Sequence, residues 1–276
     1  MANLKEFQDK EKSYYGSFPI GIVPCFNVPK KVDKGEDSDP ISDIRKDRCW
    51  GLIGVFDGMG GAGGRRYKHK LTQEEHTSAY WASRIVQHTV IEMMMHRPIG
   101  VNPVDYFEKN IQTSIIDALD KEIENFPVAE VRAPSNLIRK LPTTLAISLY
   151  YIHDNVVDIN CYWAGDSRIY LFDNDTQYYL TIDDSDAPND DPFAPENGDL
   201  AMNNAICQDK DKPFRINKST ISFNLNNNSP LVLMAATDGC FAYYTNPIEF
   251  EEMIRLQLKE CSSLQDWSDR SEERRV

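Results

Sequence analysis

The fold is decided by the stretch Gly51-Leu-Ile-Gly-Val-Phe-Asp-Gly-Met-Gly-Gly-Ala-Gly-Gly64. Its apolar run ends at Asp57, and apolar runs bounded by glycine are typical of buried strands. The carboxylate of Asp57 is therefore predicted to lie just beyond the end of a stiff strand. An isolated Asp-Gly pair is most often a hairpin turn. The five glycines from Gly58 to Gly64 are more than a turn requires, and they indicate that the backbone approaches another group closely.

The composition predicts a single cytoplasmic domain. The chain has 276 residues, 41% of them hydrophobic and 26% charged, which is ordinary for a globular protein. It contains no apolar run long enough to span a membrane, and its N-terminus is too polar for a secretory signal. The six cysteines are scattered without a Cys-x-x-Cys pair, which favours reduced thiols. The net charge of -13 argues against nucleic acid as a partner, and no motif indicates an oligomeric state.

Hydrophobic periodicity predicts one α+β domain over residues 1–276. The capping-box spacing of Thr72-Gln-Glu-Glu75 predicts a helix that begins there and continues to His96, and a second helix is predicted from Pro103 to Phe126. After Leu141 the period changes to two, which predicts antiparallel strands. These strands are expected at 143–152, 156–164, 168–172, 177–182, 220–225 and 231–236. A polar surface excursion is expected at about 183–218, a helix at 247–258 and a polar tail from about 262.

Several acidic residues follow predicted strands. Asp57-Gly58 and Asp238-Gly239 each end an apolar run, Asp166 lies in a predicted turn, and Glu36-Asp37 forms an early acidic pair. Any one of these acids could simply cap a turn, but the recurrence of strand-Asp-Gly favours a shared site. Carboxylates with few histidines or cysteines nearby are typical ligands of Mg²⁺ or Mn²⁺. Two such ions about 3.5–4 Å apart can activate a hydroxide that attacks phosphorus.

Five short motifs extend this pattern along the chain. They are Val55-Phe-Asp-Gly-Met-Gly-Gly61, Pro142-Thr-Thr-Leu-Ala146, Trp163-Ala-Gly-Asp-Ser-Arg168, Leu180-Thr-Ile-Asp183 and Ala236-Thr-Asp-Gly239. In this order they resemble the metal-dependent type 2C serine/threonine protein phosphatases. Met59, where many eukaryotic members have a histidine, looks like bacterial members of the family.

The resemblance implies a fold and an activity. The fold would be a four-layer αββα sandwich, in which two antiparallel sheets are flanked by helices. The activity would be hydrolysis of phosphoserine or phosphothreonine in protein substrates with two or three Mn²⁺ or Mg²⁺ ions. The excursion at about 183–218 would be the variable flap beside the active site.

The resemblance also implies roles for individual residues. Asp57 would bridge two metal ions as a catalytic residue, with the Gly58 carbonyl on one ion and Asp238 on the second. Glu36-Asp37 is similar to the family's early Glu-Asp element, which contributes a ligand or a supporting group. Asp166 matches an acid linked to a third, weaker metal site.

The chain departs from the family at two places. The family's phosphate-binding arginine precedes the Glu-Asp element, where this chain has Val32, so Lys30, Lys31 and Lys34 are the candidates to supply the charge. The family also ends in a strand pair introduced by an acidic ligand. That pair is not found before Val276, and the late acids are Asp266 and Asp269. An inactive relative that keeps the fold as a binding module therefore remains the alternative.

The glycine run and the basic segment that follows it each allow another interpretation. Gly58-x-Gly60-x-x-Gly63 matches the dinucleotide-binding fingerprint, but that fingerprint requires an apolar helix directly after the glycines and repeated βαβ units. A basic segment follows here instead, so the nucleotide interpretation is rejected. The basic segment itself, Arg65 to Lys70, is either a solvated turn or a surface that attracts phosphorylated substrates.

Overall fold

The computed structural model describes residues 13–15, 18–20, 35–45, 49–126, 139–173, 176–184, 202–208, 213–225, 231–242, 244 and 247–260. Four sequence predictions concern residues outside these ranges. They are the candidate phosphate-binding lysines Lys30, Lys31 and Lys34, the late acids Asp266 and Asp269, the polar tail from about 262, and most of the excursion at about 183–218.

Twelve strands and five helices lie within the described residues. The strands are β1 (Ser13–Tyr15), β2 (Phe18–Ile20), β3 (Ile41–Arg45), β4 (Trp50–Val55), β5 (Arg66–Lys68), β6 (Glu75–Thr77), β7 (Leu145–His153), β8 (Val156–Ala164), β9 (Arg168–Phe172), β10 (Gln177–Tyr179), β11 (Asn217–Asn224) and β12 (Val232–Ala236). The helices are α1 (Gly60–Gly63), α2 (Ser78–Met95), α3 (Pro103–Ile123), α4 (Asp238–Phe241) and α5 (Pro247–Glu260).

Two antiparallel sheets organise the molecule. The larger has the order β11-β8-β7-β4-β3 and the smaller has the order β10-β9-β12. The tight turn between β7 and β8 is formed by Asp154 and Asn155, which adopt φ values of 46° and 63°. Those values suit the two central residues of a type I′ hairpin, which matches the twist of the flanking strands. The hairpins β1–β2 and β5–β6 form two additional small sheets.

Alternating side chains divide the core into three clusters, one between each pair of neighbouring layers. On β7, Leu145, Ile147 and Leu149 pack against the helices α2 and α3, while Ala146 and Ile152 face the second sheet. The pattern repeats on β9, where Ile169 and Leu171 face the first sheet and Tyr170 and Phe172 pack with helix α5. Strands with apolar residues on both faces must be covered on both faces, so the layers run helix, sheet, sheet, helix. The predicted αββα sandwich is confirmed.

The predicted start of the first long helix at Thr72 is wrong. Residues 66–68 pair with residues 75–77 in the hairpin β5–β6, and Thr72 lies in its turn, where its amide donates to His69 Nδ1 at 3.2 Å. Helix α2 begins at Ser78, because the Thr77 hydroxyl accepts the Tyr80 amide at 3.1 Å and caps the first turn. No helix among the described residues is long and apolar enough to cross a membrane.

The described parts of the stretch after Asp183 pack against the core, whereas the sequence predicts a polar surface excursion. Ile206 is fully buried, and its carbonyl accepts the amide of Thr143 at 3.0 Å. Phe214 is also buried in the contact between the helices and the larger sheet. These apolar side chains anchor the two described parts of the stretch to the core beside the end of β4.

Candidate active site

The acidic residues are gathered at one end of the sandwich. Asp57 follows β4 in the larger sheet, and Asp238 follows β12 in the smaller sheet. The register places these strand ends at the same end of the molecule, since Val55 pairs with Ala146 at the start of β7 and β7 pairs with the end of β8. The connection from β8 to β9 then crosses between the sheets, and Asp166 lies in it. Strand ends from both sheets therefore carry carboxylates into one region.

Three aspartates from separate segments are in direct contact. The side chain of Asp57 lies within hydrogen-bonding distance of those of Asp37 and Asp238. Burial raises the pKa of Asp57 well above its usual range, and the neighbouring carboxylates of Asp37 and Asp238 raise it further. Burial also raises the pKa of Asp37, although the Gly58 amide donates to its Oδ1 at 3.3 Å and partly offsets the shift. Like charges held this close need a positive counter-charge or protons.

The backbone at Asp57 is fixed by two threonines that precede β7. The Asp57 carbonyl accepts the Thr143 hydroxyl at 2.6 Å and the Thr144 amide at 2.8 Å. The Asp57 amide donates to the Thr144 hydroxyl at 3.2 Å, and that hydroxyl lies 2.6 Å from Ser167 Oγ. Every polar backbone atom of Asp57 is thus paired, so its backbone is held in place by rigid elements.

Glu36 lies against the glycine turn, where its side chain does not join the three aspartates. Its Oε1 accepts the Thr77 hydroxyl at 2.6 Å, and a Cβ at Gly60 would overlap its Oε2. A Cβ at Gly58 would overlap the backbone carbonyl of Glu36. The close approach indicated by the glycines is therefore made, among the described residues, by the segment that carries Glu36 and Asp37.

Asp166 and the pair Arg168–Asp183 lie near Asp238. Burial raises the pKa of Asp166 to about 7, with contributions from the charges of Asp238 and Asp183. Asp183 accepts two hydrogen bonds from Arg168, at 3.0 Å from Nε and 2.6 Å from Nη2. The Arg168 guanidinium also lies 3.9 Å from the centre of the Phe241 ring in helix α4. The Arg168 side chain thus connects β9 both to Asp183 and to the helix that begins with Asp238.

Comparison with known proteins adds evidence on the fold. No protein-family model and no curated protein matches the chain. Among solved structures, the serine/threonine phosphatase Stp1 from Staphylococcus aureus matches with a TM-score of 0.56 and 16% identity, covering 92% of this chain and 89% of its own. The Mycobacterium tuberculosis serine/threonine phosphatase PstP matches with a TM-score of 0.55 and 15% identity, covering 91% and 89%. The chain has the fold of these bacterial phosphatases.

A third similar structure is PppA, described as a regulatory component of T6SS in Pseudomonas aeruginosa, with a TM-score of 0.54 and 14% identity over 91% of this chain and 89% of its own. One structure of the PstP catalytic domain contains two manganese ions. At these identities the likeness concerns the phosphatase fold, so the chemistry of this chain must be argued from its own residues.

The residues at this end of the phosphatase fold fit a hard divalent cation. Asp37, Asp57, Asp238 and the Gly58 carbonyl offer oxygen atoms alone, which is the donor set that Mg²⁺ and Mn²⁺ prefer. Within the described ranges no three His, Cys, Asp or Glu side chains already have the geometry of a metal site. Asp57 lies close to both other aspartates, and a bound cation would supply the counter-charge that these carboxylates need.

One important residue carries no signal in the sequence. Asp184 is 7% exposed and accepts hydrogen bonds from the Gly165 amide at 3.1 Å and from the side chains of Asn204 and Asn217 at 2.6 and 2.9 Å. It therefore ties the turn of Asp166 to the stretch after Asp183 and to β11. Its position next to the motif aspartate Asp183 is the only hint that the sequence contains.

Proposed function

We propose that this protein is a metal-dependent phosphatase of the cytoplasm that hydrolyses phosphoserine or phosphothreonine in protein substrates. The observation that carries the proposal is the contact between Asp37, Asp57 and Asp238. These residues come from three distant segments and meet at one end of a sandwich with the fold of serine/threonine phosphatases. The negative net charge of the chain favours a protein substrate over nucleic acid.

Two or three Mn²⁺ or Mg²⁺ ions would be held at this site by the side chains of Asp57 and Asp238 and by the carbonyl of Gly58. Asp37 and Glu36 would orient groups around them, and Asp166 would serve a further, weaker ion. Once bound, the metal supplies an activated nucleophile and stabilises negative charge on the phosphoryl oxygens.

The chain's own contribution is positioning. Thr143 and Thr144 fix the backbone of Asp57 and so limit the positions that its side chain can take. Thr77 and the glycine turn hold Glu36 at the rim. Asp57 and Asp166 each retain some accessible surface. Such pre-organised geometry removes much of the entropic cost of bringing the reacting groups together.

The test is hydrolysis of p-nitrophenyl phosphate and of a phosphothreonine peptide by the full chain, with and without Mn²⁺. Hydrolysis should require the metal and should be abolished by Asp57→Asn, which keeps the size of the side chain and removes its charge. Asp117→Asn is the matched control, because Asp117 is exposed on helix α3 away from the strand ends. Activity that persists in a chelator would contradict the proposal. Phosphopeptide binding without turnover would favour the alternative of an inactive binding module.

A further inference from the structure

Arg84 lies beside the segment that carries Glu36 and Asp37, and its charge acts on Asp37. Its side chain runs back along helix α2 toward the segment of Glu36 and Asp37. Nη1 donates to the Glu36 carbonyl at 3.2 Å, to the Tyr80 carbonyl at 3.1 Å and to Ser83 Oγ at 3.3 Å. The guanidinium is therefore held in place beside the residue that precedes Asp37.

Aromatic stacking fixes the plane of this guanidinium. The Arg84 Cζ lies 3.5 Å from the centre of the Tyr80 ring, and the His76 ring stacks on the same tyrosine at 3.7 Å with an interplanar angle of 13°. Two groups this close to one ring must lie on its opposite faces, so Tyr80 is enclosed between them. The column His76–Tyr80–Arg84 limits the rotamers of Arg84, and a group ordered in advance loses less entropy when it binds a ligand.

The charge of Arg84 is not used in an ion pair within the described part of the chain. Arg168 is paired with Asp183, and Arg66 is paired with Glu75 at 3.0 Å. Arg84 forms no such pair with a described carboxylate: Nη1 donates to two backbone carbonyls and a serine hydroxyl, and the Tyr80 side chain is the other partner of the guanidinium. Asp39 and Asp37 are the acids whose charges act on it from the neighbouring segment. Arg84 is only half-buried, so part of a positioned guanidinium remains accessible next to a site proposed to process phosphate esters.

We propose that Arg84 binds an oxyanion of the substrate, either the phosphoryl group itself or an acidic side chain beside the phosphorylated residue. This inference rests on the proposed function, because the anion is defined by the substrate of that site. A guanidinium presents paired N–H donors that match phosphate and carboxylate oxygens, whereas an ammonium group acts as a single point charge. Arg84 is therefore a specificity residue that selects and orients the anionic substrate.

The experiment compares Arg84→Ala and Arg84→Lys with the control Arg97→Ala in the full, Mn²⁺-loaded chain. Arg97 follows the same helix, but its guanidinium lies near Trp50, at the start of β4 and far from Asp57. Two quantities are measured for each variant. The first is the affinity for inorganic phosphate by calorimetry. The second is kcat and KM for p-nitrophenyl phosphate and for two phosphothreonine peptides, with and without an acidic residue beside the phosphothreonine.

A lost charge-assisted hydrogen bond is expected to weaken binding by roughly ten- to a hundredfold. Weaker phosphate binding and a higher KM for all substrates in Arg84→Ala would assign Arg84 to the phosphoryl group. A higher KM for the acidic peptide alone would assign it to the flanking carboxylate. In either case Arg84→Lys should recover part of the loss.

The inference is overturned if phosphate affinity and every KM match those of Arg97→Ala. It is also overturned if kcat falls while KM and phosphate affinity stay unchanged. That result is expected if the substitution only shifts the Glu36 segment and Arg84 makes no contact with the substrate. Phosphate binding does not require turnover, so a chain that binds phosphate through Arg84 but hydrolyses nothing would refute the proposed function and leave this inference standing. Thermal unfolding of each variant confirms that the comparison is made between folded proteins.

Discussion

Thr144 holds the backbone of Asp57 from both sides. Its hydroxyl accepts the Asp57 amide at 3.2 Å, and its own amide donates to the Asp57 carbonyl at 2.8 Å. The same hydroxyl contacts Ser167 Oγ at 2.6 Å, next to Asp166 in the connection between the sheets. One buried side chain therefore couples the two places where the sheets present carboxylates.

Thr144→Val is expected to break the connection between the backbone of Asp57 and the turn that carries Asp166. Valine keeps the shape of threonine but leaves the Asp57 amide and the Ser167 hydroxyl without their partner, which costs about 1–3 kcal/mol of unfolding free energy. Metal-dependent hydrolysis should fall as well, because the Asp57 amide loses the hydroxyl that helps to position it. Urea unfolding and p-nitrophenyl phosphate assays measure both effects. Thr89→Val is the control, since its hydroxyl bonds only the Ile85 carbonyl of its own helix. Equal stability of Thr144→Val and the wild type would contradict this account.

Gly60 and Gly61 offer a matched pair of substitutions in the glycine turn. A Cβ at Gly60 would overlap the carboxylate oxygen Oε2 of Glu36, whereas a Cβ at Gly61 meets nothing within 4 Å. Because the obstacle is the end of a flexible side chain, Gly60→Ala should displace Glu36 from Thr77 with little loss of stability. Its hydrolysis rate should fall, while Gly61→Ala should stay close to the wild type. Equal rates in the two variants would show that the position of Glu36 does not matter.

Much of the fold can be predicted from local patterns. The strands around the Asp-Gly motifs are apolar runs that end at glycine, and the hairpin at Asp154-Asn155 has a recognisable turn sequence. The double-sided burial of β7 and β9 follows from apolar residues at both odd and even positions. These signals depend only on residues that are close in the sequence, so they can be read without knowledge of the tertiary contacts.

The rest depends on contacts between distant residues. Thr72 has the spacing of a helix cap, but the pairing of Arg66–Lys68 with Glu75–Thr77 overrides that local preference. Asp184 is important because Asn204 and Asn217 bond it across 20 and 33 residues, which no period or spacing encodes. The candidate site divides in the same way. Its aspartates are visible in the sequence, whereas the threonines that orient Asp57 acquire their role only when β4 and β7 meet.

The ion pair between Arg168 and Asp183 should contribute far more than the exposed pair between Arg66 and Glu75. The side chains of the first pair are 10% and 12% exposed, and those of the second are both 56% exposed. Asp183→Asn leaves a buried guanidinium without its counter-charge, which costs about 3–5 kcal/mol. Glu75→Gln should cost less than about 1 kcal/mol, because water screens the pair. Urea unfolding of both variants is the measurement, and similar losses would refute the assignment of the first pair as a structural link.

The hairpin β7–β8 carries a pair whose contribution should depend on pH. His153 Nε2 lies 2.7 Å from Asp158 Oδ2, and this hydrogen bond raises the pKa of His153. Hydrogen bonds from Ser222 and then His153 lower the pKa of Asp158. Because the pKa of His153 is higher in the folded state, the pair stabilises the fold at pH values below the unfolded-state pKa of about 6.5. This stabilisation disappears as the pH rises through the folded-state pKa. Because the pKa of Asp158 is lower in the folded state, the pair stabilises the fold at pH values above the unfolded-state pKa of about 3.9. This stabilisation disappears as the pH falls through the folded-state pKa.

The two shifts together define a window from about pH 4 to 6.5 in which the charged pair is complete. His153→Gln should therefore lower the melting temperature more at pH 5.5 than at pH 8.5. His88→Gln is the control, because His88 is exposed on helix α2 and lies 3.8 Å from its nearest carboxylate, Glu92. A melting-temperature difference for His153→Gln that stays constant across this range would show that the ion pair adds nothing beyond the neutral hydrogen bond.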